Sequence, residues 1–428
     1  MNPESLCDLA TIREAEKIVY RTARRTPMWR SASVAERVDC LDLHLKMENL
    51  QRTGSFKIRG ATNKIAQLSD EERARGVVTA SAGNHAQGVA LAAREAGVSA
   101  TVWMSRFASN AKVEATRGYG AQVVLEGDNF DEATQAAQKW GKKTGAVWVS
   151  AYDDPAIIAG QGTLGLEILD DLPNVDTVLV PVGGGGLFAG VASAIKALRP
   201  GCRVIGVQAS GADFAVRSWR AGALTARHET LQTIADGIAV KSPSPLTFAH
   251  IHHFADDMVT VSDASLAEAV LLLLTRAKAV VEPSGAAGLA ALLEYPKLAR
   301  GQTVALLCGG NIDLRLLSDL IERGLAGAGR YARFWTSCTD RPGGLAGLLQ
   351  VVAAQGASVV EVAHNRLAPG LPFGQTVIEM LVEGRGQTHL HELQLMLTER
   401  GYPLWHSPET VGTPIAAPTT RRVRRAKG

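Results

Sequence analysis

Lys57 lies in the segment GSFKIRG, residues 54–60, where its amine could carry out covalent or acid–base chemistry. Thr53, Gly54 and Ser55 precede it and predict a capped helix that runs through FKIRGATNKIAQL. In the first turn of that helix the positive end of the dipole disfavours an ammonium, and burial would lower the pKa of the amine. A lysine tuned in this way attacks carbonyls and removes protons. Taken alone, the segment fits a solvated helix-start lysine better, because most lysines are exposed.

A loop of small residues, TASAGNHAQG at 79–88, leads from a predicted strand into a predicted helix. Small side chains let a ligand approach the backbone, and amides at a helix N-terminus point toward an anion such as a carboxylate. The candidates for such contacts are Ser81, Gly83, Asn84 and His85. An ordinary N-cap would explain Ser81 or Asn84 alone, so the segment by itself leaves both interpretations open.

The sequence VPVGGGGLFAG, residues 180–190, predicts a strand, a turn of four glycines and then a helix. Four successive glycines cost conformational entropy and pack nothing, so their N–H groups predict a cradle for a phosphate. The loop consists of Gly183, Gly184, Gly185, Gly186 and Leu187. Gly184 and Gly186, followed by Ala189, also fit a dinucleotide fingerprint. That motif requires an acid at the end of the next strand, where this chain has Gln208, so a nicotinamide enzyme is the weaker interpretation.

Two further segments are weaker candidates for chemistry. Cys308 ends a predicted strand in ALLCGGN, residues 305–311, where its thiol could face a ring nitrogen. A free cysteine is nevertheless more often a small buried hydrophobic residue. The histidines of HIHH at 250–253 lack a known metal-ligand spacing and predict a polar surface turn. No metal site is predicted.

Apolar strand-like runs alternate with helix-period segments along most of the chain, which is typical of an α/β protein with open parallel sheets. From residue 331 the pattern changes to a β-α-β-β-α order that ends near residue 405 and predicts a small ferredoxin-like unit. The final segment, 406–428, is rich in Pro and Thr and then basic, which predicts a disordered tail.

The composition excludes several classes of protein. The 428 residues carry a formal net charge of +3, and the tail segment RRVRRAKG at 421–428 alone holds five basic groups, so no basic surface for nucleic acid is predicted. The longest apolar run free of glycine is too short to span a membrane. Five scattered cysteines predict reduced thiols in a cytoplasm.

Seven segments occur together in this order: TP at 26–27, KMENLQRTGSFKIRGA, ASAGNHAQGVA, PVGGGGL, TIADGIAV, EPSGAAGLAAL and LLCGGNIDL. With them the chain resembles the threonine dehydratases (threonine ammonia-lyases), which are fold-type II pyridoxal phosphate enzymes of the tryptophan-synthase-β-like family. The resemblance implies a catalytic unit at 1–325, in which a small subdomain at about 53–155 is inserted between 1–52 and 156–325. The segment around DRPGGLAGLL resembles an ACT-like regulatory domain, placed at 331–405.

The resemblance also implies roles for individual residues. Lys57 would be linked covalently to pyridoxal phosphate and would remove the Cα proton of the substrate, with Phe56 beside the ring. Asn84 would bind the phenolic oxygen of the cofactor, and Gly183 to Leu187 would bind its phosphate. Cys308 would face the pyridine nitrogen, and Glu282 would lie near the cofactor. The substrate carboxylate would bind Ser81, Gly83, Asn84 and His85.

The implied reaction is the β-elimination of water from L-threonine to give 2-oxobutanoate and ammonia, with L-serine giving pyruvate. It would serve isoleucine biosynthesis or threonine catabolism in a homo-oligomer, a dimer or a tetramer, under an amino-acid or nucleotide effector at the ACT-like domain. Serine racemases, which are close relatives, carry a serine where this chain has Ala82, so racemisation is disfavoured. Metal-binding relatives have a glutamate at the position of Gln208.

Three alternatives stay open at this stage. A serine dehydratase or racemase of the same family would share most of the site. A nicotinamide oxidoreductase would use Gly184 and Gly186. A non-catalytic amino-acid sensor would bind an effector through residues 331–405 and use the rest as scaffold.

Overall fold

A computed structural model describes residues 6–225, 231–366 and 371–405. Its Cα positions cluster into two units that divide between Asp313 and Leu314. The end of the catalytic unit at residue 325 and the start of the regulatory domain at residue 331 stay predictions. The small subdomain at about 53–155 also stays a prediction. The tail at 406–428 lies outside the described residues. Within the described part, no helix is both long and apolar enough to cross a membrane.

The larger sheet of the first unit has the strand order β1-β2-β10-β7-β8-β9. All neighbouring strands run parallel except the edge pair β1 and β2. The strands are β1 Met28–Arg30, β2 Asp42–Lys46, β7 Thr177–Pro181, β8 Arg203–Ala209, β9 Asp257–Val261 and β10 Gln302–Leu306. Strands β7 and β10 are neighbours, so the loops at their carboxyl ends meet at one edge of the sheet.

A smaller, wholly parallel sheet in the same unit has the order β5-β4-β3-β6. Its strands are β3 Val77–Ala80, β4 Ala100–Met104, β5 Gln122–Leu125 and β6 Val147–Trp148. The two parallel sheets and the helices between their strands confirm the α/β prediction for this part of the chain.

Helices cover both sheets of the first unit. They are α1 Leu9–Val19, α2 Ala32–Arg37, α3 Lys57–Ala66, α4 Asp70–Arg75, α5 Asn84–Glu95, α6 Asn110–Gly118, α7 Phe130–Thr144, α8 Pro155–Asp171, α9 Gly186–Leu198, α10 Phe214–Ala221, α11 Pro245–Phe254, α12 Asp263–Leu272 and α13 Pro283–Glu294. The HIHH segment lies within α11, so the predicted surface turn is wrong. Pro at the first helical position and a capping box at Ser244 favour a helix there.

Helices α8 and α9 cross at glycines. A Cβ on Gly190 would overlap the carbonyl oxygen of Ile158 and the amide of Gly162, so the two backbones touch only because no side chain stands between them. Gly190→Ala is therefore expected to lower the free energy of unfolding by about 1–3 kcal/mol through overpacking, measured by urea denaturation. Gly118→Ala is the control, because its Cβ would meet open space at the end of α6. Equal effects of both substitutions would contradict the prediction.

A cluster of charged side chains, the buried ion cluster, lies beneath the start of α3. Arg59 donates to both carboxylate oxygens of Glu48, each at 2.8 Å, and pairs with Glu167 at 2.7 Å. Lys46 pairs with Glu167 at 2.7 Å and with Asp171 at 3.0 Å. Except for the partly exposed Asp171, these side chains are excluded from solvent. The cluster joins β2, α3 and α8, so it fixes where α3 begins relative to the larger sheet.

The second unit contains α14 Leu314–Gly327 and an antiparallel sheet of order β12-β13-β11-β14. The remaining elements are β11 Tyr331–Thr339, α15 Gly344–Ala354, β12 Ser358–Asn365, β13 Gln375–Glu383, α16 Gln387–Glu399 and β14 Leu404–Trp405. Apolar residues of the sheet, such as Phe334 and Met380, pack against Leu348 and Leu393 of the two helices. The predicted β-α-β-β-α order is confirmed.

Candidate active site

The segment before Lys57 is joined to the turn that follows β10. The backbone N–H of Phe56 donates to the carbonyl oxygen of Cys308 at 3.2 Å, and Ser55 forms an isolated β-bridge with Gly309. Phe56, Leu187 and Cys308 also belong to one hydrophobic core cluster. Residues far apart in sequence therefore meet around the lysine.

Helix α3 begins at Lys57, which places the amine in the first turn as the sequence predicts. The predicted side-chain cap is wrong, because the N-cap residue is Phe56 and no side chain caps the helix. The hydroxyls of Thr53 and Ser55 are buried and find no partner among the described residues. The bridge to Gly309 fixes the backbone of Ser55 in place of a cap.

The Lys57 amine is held by a hydrogen bond to the backbone and lies near an aromatic ring. It donates to the carbonyl oxygen of Ala151 at 2.8 Å, and lies 5.1 Å from the centroid of the Phe56 ring. Removal from solvent lowers the pKa of this amine to about 8, although the nearby Cys308 and Glu282 act in the opposite direction. Lys57 is therefore neutral in a substantial fraction of molecules near pH 8, as a base or nucleophile must be.

The four-glycine loop connects β7 to the N-terminus of α9. Gly185 has φ +94°, a conformation that favours glycine. A Cβ on Gly184 would overlap the ring of Tyr152, and one on Gly186 would come within 2.9 Å of the Tyr152 Cα. Gly184 and Gly186 thus lie too close to Tyr152 to carry a side chain. The loop leads into the N-terminus of a 13-residue helix, which is the positive end of its dipole.

Asn84 and Glu282 face each other across the site. Asn84 opens α5, and its Nδ2 donates to Glu282 Oε1 at 2.7 Å. Burial, reinforced by the negative charge of Asp236, raises the pKa of Glu282 to about 7, while Asn84, Lys112 and Lys57 pull it down. A Cβ on Gly309 would overlap the Glu282 carboxylate, so that glycine leaves room for it.

The titration of Glu282 gives a testable dependence of stability on pH. Because the folded-state pKa of about 7 lies above the ordinary value of 4.5, its stabilising contribution is present below pH 4.5 and is lost as the pH rises through 7. Glu282→Gln stays neutral, so the apoprotein variant should gain up to about 3 kcal/mol over wild type between pH 5 and pH 8.

Urea denaturation of the two apoproteins at pH 5, 6, 7 and 8 measures this difference. Glu114→Gln, which alters a glutamate side chain that is 68% exposed, is the control and should show no such trend. A difference between Glu282→Gln and wild type that stays constant with pH would contradict the prediction.

The predicted carboxylate-binding residues lie in the loop after β3 and in the first turn of α5. The N–H of Gly83 donates to Ser81 Oγ at 3.2 Å, and Asn84 begins the helix. His85 is buried, and its Nε2 hydrogen-bonds to the carbonyl oxygen of Val149 at 3.0 Å. Burial, together with the charge of Lys57, lowers the pKa of His85 to about 3, so its imidazole is neutral. His85 can therefore offer an anion its backbone N–H but no side-chain charge.

Cys308 lies beside Ser284 at the start of α13. Its Sγ donates to the carbonyl oxygen of Ser284 at 3.7 Å, and burial raises the pKa of the thiol, so it stays protonated. The Ser284 hydroxyl is also buried and has no partner within the described chain. Cys308 is therefore a neutral thiol that lies near a buried hydroxyl with no partner in the described residues.

Sequence reasoning missed three residues of this site. Tyr152 packs on the glycine loop, Asn311 hydrogen-bonds to Asn84, and Ser284 lies next to Cys308. Asn311 and Ser284 belong to two of the motifs quoted above, and that membership could have indicated a place in the site. Tyr152 lies outside every quoted motif and is brought in by the start of α8.

The donor set fits pyridoxal phosphate. The glycine loop offers N–H groups for a phosphate, the amine of Lys57 suits an aldehyde, and the unused Ser284 hydroxyl marks a buried polar face. Among the described residues no group of three His, Cys, Asp or Glu side chains is arranged as around a metal ion. Gln208, at the position discussed for metal-binding relatives, accepts from the backbone N–H of Val216 at 3.0 Å.

The fold and site together define an enzyme that uses pyridoxal phosphate. A family profile described as pyridoxal-phosphate dependent enzyme matches residues 19–309, and the chain belongs to that family. Its cofactor is pyridoxal phosphate and its substrate is an amino acid. The match favours the phosphate loop of such an enzyme over the dinucleotide interpretation.

The chain is also similar to individual proteins and solved structures of known activity. The chain is 48% identical over 394 residues to the L-threonine ammonia-lyase of Thermotoga maritima, covering 92% of this chain and 98% of that one. The structure of the processed form of threonine deaminase isoform 2 from Solanum lycopersicum matches with a TM-score of 0.70 at 36% identity, over 75% of this chain and 90% of that one. The structure of maize serine racemase matches with a TM-score of 0.70 at 36% identity, and the match covers 75% of this chain and 98% of that one.

Proposed function

We propose that this protein converts L-threonine to 2-oxobutanoate and ammonia by β-elimination of water. The observation that carries the proposal is a buried lysine amine of lowered pKa that bonds to Ala151, the residue before the tyrosine that packs on the glycine loop. The charge of the same amine acts on His85 in the first turn of α5. The relatives named as threonine ammonia-lyase and threonine deaminase support threonine as the substrate.

The site residues act on the substrate in defined ways. When bound, pyridoxal phosphate withdraws electrons from the Cα of an attached amino acid. Lys57, in its neutral form, takes the Cα proton, and its pKa of about 8 matches that task near neutral pH. Gly183 to Leu187 would hold the phosphate through backbone N–H groups. The protonated Cys308 would face the ring nitrogen without bringing a negative charge to it.

The substrate carboxylate binds at the N-terminus of α5. Ser81, Gly83, Asn84 and His85 supply it with hydroxyl and backbone N–H donors, since the His85 ring is neutral and already bonded. The positive end of the α5 dipole favours the anion at this place. Phe56 and Glu282 complete the cofactor pocket.

L-serine is proposed as a second substrate that yields pyruvate. The maize serine racemase match supports serine binding by a site of this kind. Ala82, however, carries no group that could deliver a proton to the other face of Cα. Elimination is therefore proposed over racemisation.

We propose that the C-terminal residues 331–405 form an ACT-like regulatory domain that binds an amino-acid or nucleotide effector. The start of α15, at Asp340 to Gly344, presents the positive end of the helix dipole to a carboxylate or phosphate. We also propose a homo-oligomer, either a dimer or a tetramer. A cytoplasmic location is supported by five cysteines that are all free thiols.

The decisive experiment measures 2-oxoacid release from L-threonine and L-serine, with D-threonine as the matched substrate control. We expect turnover of both L-amino acids and none of the D-isomer. A change in the rate when isoleucine is added would identify isoleucine as an effector. Absence of 2-oxobutanoate from L-threonine, with cofactor bound, would overturn the proposed function.

A further inference from the structure

Asn84 is held at both ends of its side-chain amide. Its Oδ1 accepts from Nδ2 of Asn311 at 2.7 Å, while its own Nδ2 donates to Glu282 Oε1 at 2.7 Å. An amide whose oxygen accepts one bond and whose nitrogen donates another has a fixed orientation. Asn84 therefore turns its Nδ2 toward Glu282 and has a second N–H hydrogen there for another partner.

Asn311 is in turn fixed by the loop before Lys57. Its Nδ2 also donates to the carbonyl oxygen of Thr53 at 2.8 Å, so both hydrogens of that nitrogen are used. The side chain fits because residue 54 is a glycine: a Cβ there would lie 2.5 Å from Asn311 Oδ1. The φ of +72° at Gly54 suits glycine as well.

We propose that Asn311 is a positioning residue that orients the Asn84 amide so that an N–H group faces the cofactor. The inference rests on the proposed function, in which Asn84 binds the phenolic oxygen of pyridoxal phosphate. Asn311 is exposed at the rim of the site, and it acts only through Asn84. Without the Asn311 donor, only the bond to Glu282 still holds the orientation of the Asn84 amide. Its oxygen then turns toward the cofactor in a larger fraction of molecules, where two oxygen acceptors would face each other.

The predicted consequence is a change in the holoprotein that does not depend on turnover. An N–H donor withdraws negative charge from the phenolic oxygen and so lowers the proton affinity of the groups conjugated with it. The loss of one hydrogen bond of about 1 kcal/mol should raise the midpoint of the pH-dependent visible spectrum by about 0.7 units. It should also weaken pyridoxal phosphate binding by about fivefold.

The experiment compares wild type, Asn311→Ala, Asn84→Ala and the double variant. Each is reconstituted with pyridoxal phosphate, its visible spectrum is titrated with pH without substrate, and cofactor dissociation is measured. We expect Asn311→Ala to show both changes and the double variant to equal Asn84→Ala, because Asn311 acts only through Asn84. A spectrum of Asn311→Ala identical to wild type would overturn the proposal. So would an Asn311→Ala effect of equal size in both backgrounds, which would point to the Thr53 contact instead.

The experiment separates a wrong role for Asn84 from a wrong role for Asn311. If Asn84→Ala itself leaves the spectrum and the cofactor affinity unchanged, the proposed role of Asn84 is wrong, and the role of Asn311 is wrong with it. If Asn84→Ala has its effect and Asn311→Ala has none, only the positioning role is wrong. Should Asn311→Ala fail to fold, Asn311→Ser, which keeps the loop polar but shortens the donor, must show the same pattern.

Discussion

The Lys57→Ala variant is expected to lose the visible absorbance of lysine-bound pyridoxal phosphate and to release 2-oxobutanoate about 10⁴-fold more slowly. Alanine can neither bind the cofactor aldehyde nor take the Cα proton, so two functions disappear with one side chain. The measurements are the absorbance spectrum of the reconstituted protein and the rate of 2-oxoacid release from L-threonine.

The fold of this variant should remain intact. Burial lowers the pKa of Lys57, which means that its charged form is disfavoured in the folded protein. The Lys57→Ala apoprotein should therefore unfold at the same urea concentration as wild type at pH 7, or at a higher one. Lys64→Ala is the matched control, because Lys64 lies on the same helix as Lys57. The amine of Lys64 pairs with the carboxylate of Asp154, at 2.7 Å. A Lys57→Ala protein that kept the visible band would contradict the assignment of the cofactor lysine.

Arg59→Met is expected to lower the free energy of unfolding by about 3–5 kcal/mol. Burial alone would lower the pKa of the Arg59 guanidinium, but Glu48 and Glu167 more than offset it and raise that pKa. Without the guanidinium, Glu48 loses both of its hydrogen bonds from Arg59. Glu167 loses one of its two positive partners and keeps only the ion pair with Lys46. Carboxylates buried in this way are costly, and that cost appears as lost stability.

Urea denaturation of the apoprotein measures the effect. Arg25→Met is the matched control: Arg25 pairs with Asp170 and Asp171, but its side chain is 48% exposed. Exposed pairs contribute about 1 kcal/mol or less, so this variant should stay close to wild type. Arg59→Met together with Glu48→Gln should recover part of the loss, because one of the stranded charges is removed. An Arg59→Met protein as stable as Arg25→Met would show that the buried ion cluster contributes little.

Local patterns in the sequence predict much of the fold. Alternating apolar runs predict the strands that end before Gly183 and Cys308, because buried parallel strands need continuous apolar residues. The four glycines predict a backbone-lined loop, and the small residues before Asn84 predict the start of α5. These features depend on neighbours in the chain, which a sequence displays directly.

Contacts between distant residues could not be predicted in the same way. Thr53 and Ser55 match an N-cap pattern, but the bridge between Ser55 and Gly309 replaces the cap. The motif around His85 predicts contact with a substrate anion. In the structure the imidazole ring instead hydrogen-bonds to the carbonyl oxygen of Val149, whose position follows only from the packing of the sheet. The buried ion cluster is invisible in sequence, since Arg59 and Glu167 meet only when α3 packs against α8.

The joining of Ser55 and Phe56 to Cys308 and Gly309 has a consequence for synthesis of the protein in the cell. The chain emerges from the ribosome starting at its N-terminus, so the lysine segment appears long before the strand that must hold it. A nascent chain that has not reached Gly309 lacks the partner that fixes the backbone around Lys57. Cofactor capture is therefore a late event in biogenesis, and truncated translation products should not retain pyridoxal phosphate.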